Sequence, residues 1–191
     1  MRKWKFIACA IVLSLTIILF DAGVSFSHDL FFPAEKLKTL FPQAQSFEQK
    51  NLYISDVQKA DLEKELGSSL PIEDLKPSVY FAIVRQGQDA RPRKEAVIMF
   101  VDASGEGSKI EIGIVVSGKG ELVRVHLFEN KEPKLLSEAD FLKQFDGKKP
   151  SDSFTVGRDI TAPHGAEKSA QAIASGARRG LLIINELFRK R

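Results

Sequence analysis

Apolar positions along this chain follow three different patterns. Phe6 to Phe20 is a run broken only by Ser14 and Thr16. Between residues 79 and 128 four short runs, VYFAIV (79–84), AVIMFV (96–101), IEIGIVV (110–116) and LVRVHLF (122–128), alternate with polar stretches and predict four strands. Arg85 to Lys94 is the polar turn between the first two, and Ser117-Gly-Lys-Gly120 joins the last two as a hairpin. In the fourth run Leu122, Arg124, His126 and Phe128 face one way and Val123, Val125 and Leu127 the other, which predicts a sheet covered on one face. From about Ala166 the period becomes helical, with Ala170, Ile173, Ala174, Ala177, Leu181, Ile184 and Leu187-Phe188 on one face of a long helix. Gly176 and Gly180 would each weaken such a helix by up to about 1 kcal/mol relative to Ala, so they predict close packing against the sheet.

The remaining pattern is weaker. Leu30 to Phe41 reads as a helix after Pro33 and stops at Pro42. Tyr53 to Leu66 reads as a second, with Ser55 and Gln58 as a capping box and Gly67 as its stop. Ser68 to Pro77 is a loop. Ser137 to Phe145 reads as a short helix with Ser137 and Asp140 as a cap pair, and Gly147 to Asp159 as a polar connection. Two helices, four strands and two helices make an α+β fold: an antiparallel sheet packed by a long C-terminal helix, with an N-terminal helical preface over residues 28–76.

The first 27 residues set the expected compartment. Met-Arg-Lys-Trp-Lys precedes the apolar run, as in a secretory signal peptide or an uncleaved membrane anchor. Fifteen residues rise about 22 Å as a helix, short of the roughly 30 Å hydrocarbon core, and Ser25 and Ser27 are small residues suited to cleavage after Ser27. Basic residues before the run keep the N-terminus cytoplasmic, so the rest is exported to the periplasmic or extracellular face in both cases; the alternative is a buried core helix. Cys9, the single cysteine, lies inside the run as a small apolar residue and excludes an intrachain disulfide framework. Of 28 basic and 25 acidic residues, 25 and 24 lie beyond residue 27. A body so close to neutral argues against nucleic-acid binding by counterion release.

Candidate chemistry is sparse. His28, His126 and His164 form no recognised metal spacing with one another. His164 and Glu167, three apart at the entrance of the last helix, can both reach one metal ion or stand as two exposed polar residues. No Gly-x-Ser-x-Gly is present, Gly118-Lys-Gly120 lacks the spacing of a phosphate loop, and Asp102-Ala-Ser-Gly-Glu-Gly107 lacks that of a calcium loop. The stretch Gly157-Arg-Asp-Ile-Thr-Ala-Pro-His-Gly-Ala-Glu-Lys-Ser-Ala-Gln-Ala-Ile173 differs, because it feeds glycines and free N–H groups into the start of the longest helix. Such a terminus favours an anion; the alternative is that it merely turns the chain.

Phe141-Leu-Lys-Gln-Phe-Asp-Gly-Lys148, Gly157-Arg-Asp-Ile160, the Gly165-Ala-x-x-Ser-x-Gln-Ala-Ile173 run and Gly176-Ala-Arg-Arg179 occur in this order, after the hairpin Gly113 to Phe128. Over residues 77–188 this resembles the FMN-binding domain family, which includes the flavin-carrying exported subunits of Rnf-type and sodium-pumping NADH:quinone oxidoreductase complexes. The resemblance implies an FMN-binding-type domain over 77–191. It implies an electron carrier or accessory subunit rather than a self-sufficient enzyme, partnered by a membrane redox complex or another electron-transfer protein. It places cofactor contacts at Arg158, Asp159, His164, Gly165, Ala166, Glu167, Lys168 and Ser169. Phe141 and Phe145 fall where they could shelve the ring or fill the core.

In that family FMN is often joined through its phosphate to a threonine of a Ser/Thr-Gly-Ala-Thr-x-Ser/Thr motif by a dedicated transferase. Here the motif reads His164-Gly-Ala-Glu-Lys-Ser169, with Glu167 at the attachment position. A carboxylate cannot form the phosphoester. Its repulsion of a phosphate at about 4 Å is roughly 1 kcal/mol in water and about 4 kcal/mol near a protein surface, against about 0.3–1 kcal/mol from the helix end. Lys168, Arg158 or a protonated His164 would offset it, and Ser169 is a displaced substitute hydroxyl. Three expectations follow: an FMN carrier without the usual bond, a flavin-free member that binds or assembles a membrane redox complex, or a metal or small-anion site at His164 and Glu167.

Overall fold

The long C-terminal helix is the element that organises the rest. The computed structural model describes residues 33–189 apart from 86, 88 and 89, so the apolar run at 6–20 and its assignment as signal peptide or anchor lie outside the described residues, as does His28. Elements follow the order α1 (Ala34–Leu40), β1 (Ser46–Asn51), α2 (Asp56–Leu66), β2 (Ser78–Val84), β3 (Arg93–Ser104), β4 (Lys109–Ser117), β5 (Leu122–Leu127), α3 (Ala139–Leu142) and α4 (Glu167–Phe188). The strands form one antiparallel sheet in chain order. The α+β architecture expected from the sequence, a long C-terminal helix on an antiparallel sheet, is the one observed.

The helix α4 buries Ala170, Ile173, Ala174, Ala177, Leu181 and Ile184, the face its period predicts, against Met99, Val101, Ile112 and Ile114 of the sheet. A Cβ on Gly176 would stand 2.7 Å from Ile112 Cδ1, and one on Gly180 2.5 Å from Ile114 Cδ1 and 3.1 Å from Val101 Cγ1. The two glycines therefore let helix backbone approach the sheet, and this contact offsets their intrinsic cost. Arg179 fastens the same helix sideways. Its Nε donates to Asp74 Oδ2 at 2.6 Å, and its Nη2 to the Asp102 carbonyl at 2.5 Å. Burial pushes the Asp74 carboxyl above its ordinary pKa, although the Arg179 guanidinium pulls the other way.

Four details depart from the sequence reading. The sheet has five strands, because Ser46–Asn51 within the helical preface pairs as an edge strand with β2. This strand is mostly polar, and its backbone pairing carries no apolar alternation. The sheet is also covered on both faces. On the second face Leu37, Leu40 and Phe41, from α1 and its end, pack with Tyr80, Ala82, Ile98 and Val115. The β5 alternation breaks at a bulge, since Val116 opposes Leu122 and Val115 opposes Arg124, leaving Val123 as the extra residue. Leu122 thereby joins Val125 and Leu127 in the core, while Val123 is 42% exposed.

The fourth departure is the short helix at 137–145. It is divided into a 3₁₀ turn at Lys134–Ser137, α3, and a 3₁₀ turn at Lys143–Phe145, and the Ser137 cap does not form. Leu136 and Phe141 lie about 140° apart around a straight helix, yet both are buried. Breaking the helix lets both point inward. By contrast, α2 is capped as read: Ser55 Oγ accepts from the Gln58 N–H, Gln58 Oε1 accepts from the Ser55 N–H, and Gly67 closes the helix in the left-handed region at φ 72°.

Because Val101 is stiff and backs onto the sheet, Gly180→Leu is expected to lower the unfolding free energy by about 3 kcal/mol, measured as a shift in urea midpoint at unchanged slope. A loss below about 1 kcal/mol would show that α4 can lift off the sheet without consequence.

Candidate functional site

The predicted residues separate into three groups, each tied to its surroundings in a different way. Asp159 sits in the polar connection and gathers the loop before it. Its Oδ1 accepts from Ser153 Oγ at 2.6 Å and from the Thr155 N–H at 2.7 Å; its Oδ2 accepts from the Phe154 N–H at 3.0 Å and from Lys148 Nζ at 2.9 Å. Partial burial pushes this carboxyl up, but the donors from Ser153, Lys148, Thr155 and Phe154 outweigh it and hold the pKa well below the ordinary value. Phe154 is held at φ 51°, a left-handed conformation that costs a bulky residue of the order of 1–3 kcal/mol. Its ring is buried against Phe145, and Gln171 reaches across from α4 to accept from the Val156 N–H and donate to the Phe154 carbonyl. Asp159 is thus a structural clamp, and Arg158 beside it projects into solvent.

The second group lies at the start of α4. Ala166 is the N-cap and supplies no side-chain acceptor. Glu167 turns back to the residue before the cap: its Oε1 accepts from the Gly165 N–H at 3.1 Å. Its own N–H and the Gly165 N–H bond the carboxylate and draw its pKa below the ordinary value. His164 is fully exposed, with Nδ1 3.9 Å from Glu167 Oε1. Lys168 is also exposed and turns to Glu106 at 3.4 Å. Among the described residues no three His, Cys, Asp or Glu groups converge as metal ligands.

Ser169 forms the third group and is buried. Its Oγ donates to Glu132 Oε2 at 2.5 Å and accepts from the Glu106 N–H at 3.1 Å. Glu132 Oε1 accepts from the Gly107 and Ser108 N–H groups, each at 2.9 Å. This buried carboxylate thereby ties the β3–β4 turn to the first turn of α4. Burial raises its pKa, but the Ser169 hydroxyl and the turn amides hold it below the ordinary value.

Beside residues 161–163 an open groove of about 580 Å³ is lined by Leu135, Glu138, Asp140, Phe141, Gln144 and Pro163, among others. Its walls are pinned, because the Gln144 side-chain amide accepts from the Thr161 N–H at 2.7 Å and donates to the Thr161 carbonyl at 3.0 Å. Phe141 lines this groove yet is buried, and Phe145 is fully in the core. The charged residues of the lining are both acids, Glu138 and Asp140; no Lys or Arg contributes.

These groups do not fit a flavin phosphate at the start of α4. The Gly165 amide is already bonded to Glu167, the Ser169 hydroxyl is committed to Glu132, and the adjoining groove carries negative charge. Sequence reasoning gave no role to Glu132, Gln144 and Gln171. Glu132 sits in an ordinary polar loop, Asn-Lys-Glu-Pro, and neither local spacing nor period marks its burial. No protein-family model matches the chain, and no curated protein matches it in sequence.

Asp159 contributes stability only while ionised. Its folded pKa lies below the ordinary value of 3.8, so the contribution is complete above that pH and is lost as the pH falls through the folded value. Asp159→Ala is expected to cost about 2–4 kcal/mol at pH 7, with the difference from wild type shrinking on acidification below about pH 4. Urea unfolding at pH 7 and at pH 3 measures this; a difference that stays constant would show that the loop is held by other groups.

Proposed function

We propose that this chain is a flavin-free member of the FMN-binding domain family that serves as a binding or assembly protein for a membrane redox complex. The observation that carries this reading is the Glu167 carboxylate, bonded to the Gly165 amide and its own amide at the start of α4. A side-chain anion there supplies internally the negative charge that a helix terminus attracts. The basic and apolar N-terminal segment supports export and membrane association. The groove beside Thr161 to Pro163, with its pinned walls, supplies a preformed surface for a partner.

A second reading, an FMN carrier without the usual phosphoester bond, draws on the same groove, where Phe141 offers an aromatic surface next to the loop. In that reading the flavin would supply the electron-carrying chemistry when bound, and this chain would contribute the groove walls.

The experiment is expression of the full chain beside a flavin transferase, followed by absorbance after dialysis and intact-mass measurement. Wild type is expected to be colourless and to carry no FMN mass. Glu167→Thr removes the carboxylate, frees the Gly165 amide and restores a hydroxyl, and is expected to gain an FMN mass. Flavin absorbance that survives dialysis in wild type without a mass increase would favour the second reading, and an FMN mass on wild type would overturn the role given to Glu167.

A further inference from the structure

The two edges of the sheet, β1 and β5, differ. At the β5 edge the Leu122 N–H donates to the Lys148 carbonyl at 2.9 Å, and the Leu122 carbonyl accepts from the Gly147 N–H at 2.8 Å, so residues 147 and 148 cover its start. The β1 edge has no such cover among the described residues. Hydrogen bonds just beyond the strand fix which way its backbone faces. The Leu52 and Ile54 N–H groups donate to the Pro77 and Leu75 carbonyls at 2.9 and 3.0 Å, continuing the register that sets Glu48 opposite Phe81 and Lys50 opposite Val79. Alternate residues of an antiparallel strand turn their amides to alternate sides. Ser46, Glu48 and Lys50 therefore bond β2, and Phe47, Gln49 and Asn51 turn their N–H and C=O groups outward. These outward groups have no backbone or side-chain partner among the described residues.

The features that close a free edge to other strands are missing from β1. It holds no proline or glycine, its pairing with β2 runs without a bulge from Ser46 to Asn51, and its two charged residues, Glu48 and Lys50, are of opposite sign. Both are half-exposed on the face that carries Phe81. Glu48 pairs with Lys94 at 2.9 Å, Lys50 Nζ stands 3.8 Å from Glu48 Oε1, and both lysines lie over the Phe81 ring.

A second copy related by a two-fold axis through Gln49 matches this edge. Gln49 pairs with the partner's Gln49 and Phe47 with the partner's Asn51, so the outward groups satisfy one another. Glu48 then stands opposite the partner's Lys50, and Lys50 opposite the partner's Glu48. These are the non-hydrogen-bonded positions, where facing side chains come closest and opposite charges attract. A carboxylate accepts from more than one donor, so Glu48 can hold Lys94 of its own chain and the partner's Lys50 together. Moving the axis by one residue sets Glu48 against the partner's Glu48, or Lys50 against the partner's Lys50, and like charges directly opposite are unfavourable. The strand is thus self-complementary in one register.

We propose that β1 is a homodimer interface, in which two copies add their edge strands antiparallel about Gln49 and continue the sheet across the two-fold axis. The surface lies within residues 46–51 and stands whether or not the start of α4 holds a flavin.

The test is sedimentation equilibrium of the full chain in density-matched neutral detergent micelles. Wild type is expected at the dimer mass at about 100 µM, a concentration suited to a small interface. Gln49→Pro removes an outward N–H that the β2 ladder does not use and is expected to give the monomer mass. Glu48→Lys sets like charges opposite each other and is expected to weaken association at least about fivefold. Glu48→Lys combined with Lys50→Glu exchanges the two signs and is expected to restore it to within about twofold of wild type. Urea midpoints check that each variant is folded. A monomeric wild type overturns the proposal and leaves the edge to an extended segment of another protein. It is equally overturned if Gln49→Pro remains a dimer, if Glu48→Lys associates as wild type does, or if the double exchange associates no better than Glu48→Lys alone.

Discussion

The close approach of α4 to the sheet is the constraint on which the rest depends. Two missing Cβ atoms, at Gly176 and Gly180, let the helix sit directly on Ile112, Ile114 and Val101. Once it is there, everything attached to it is placed. Arg179 meets Asp74 and the Asp102 carbonyl, Ser169 meets Glu132, and Gln171 reaches the loop around Phe154. A helix held further out would lengthen these contacts, and buried polar groups left unpaired cost about 1–3 kcal/mol each. The glycines therefore set the geometry of the polar network as well as the packing.

That network gives the candidate site its character. The loop and helix start that look open to an anion in the linear sequence are filled by the chain's own carboxylates. Asp159 collects the amides of Phe154 and Thr155, Glu132 collects those of Gly107 and Ser108, and Glu167 takes that of Gly165. Each acid sits where hydrogen-bond donors converge, and all three have pKa values displaced downward: against the opposing effect of burial, the Ser153 and Lys148 side chains lead at Asp159 and the Ser169 hydroxyl at Glu132, with backbone amides adding to both, while at Glu167 backbone amides lead. The surface left free is the groove beside Thr161 to Pro163, which is shaped by backbone and by Gln144 rather than by a basic anion cradle.

Much of the fold is legible in the sequence because its core elements are locally consistent. The period of α4, the apolar runs of the inner strands β2, β3 and β4, and the Ser55–Gln58 box with Gly67 each encode their own geometry. The misses have a common origin in contacts distant along the chain. Ser46–Asn51 becomes a strand only because β2 offers it a backbone edge. Leu136, Phe141 and Phe145 break an otherwise helical stretch because all three must reach one core. Ser169 reads as a free hydroxyl until Glu132, 37 residues away, is brought to it. Glu167 is the exception in the site. Its effect is local, within two residues of Gly165, and is visible in sequence as an acid at a helix entrance.

The edge strand has an implication for where this domain can be said to begin. A boundary at residue 77 looks natural in the linear pattern, yet cutting there would remove β1 from β2 and lift Leu37, Leu40 and Phe41 off Ile98 and Val115. The shortened protein would present β2's unpaired amides and carbonyls beside a bare apolar face, the combination that invites intermolecular strand addition and aggregation. The segment that precedes the inner sheet thus acts as its shield.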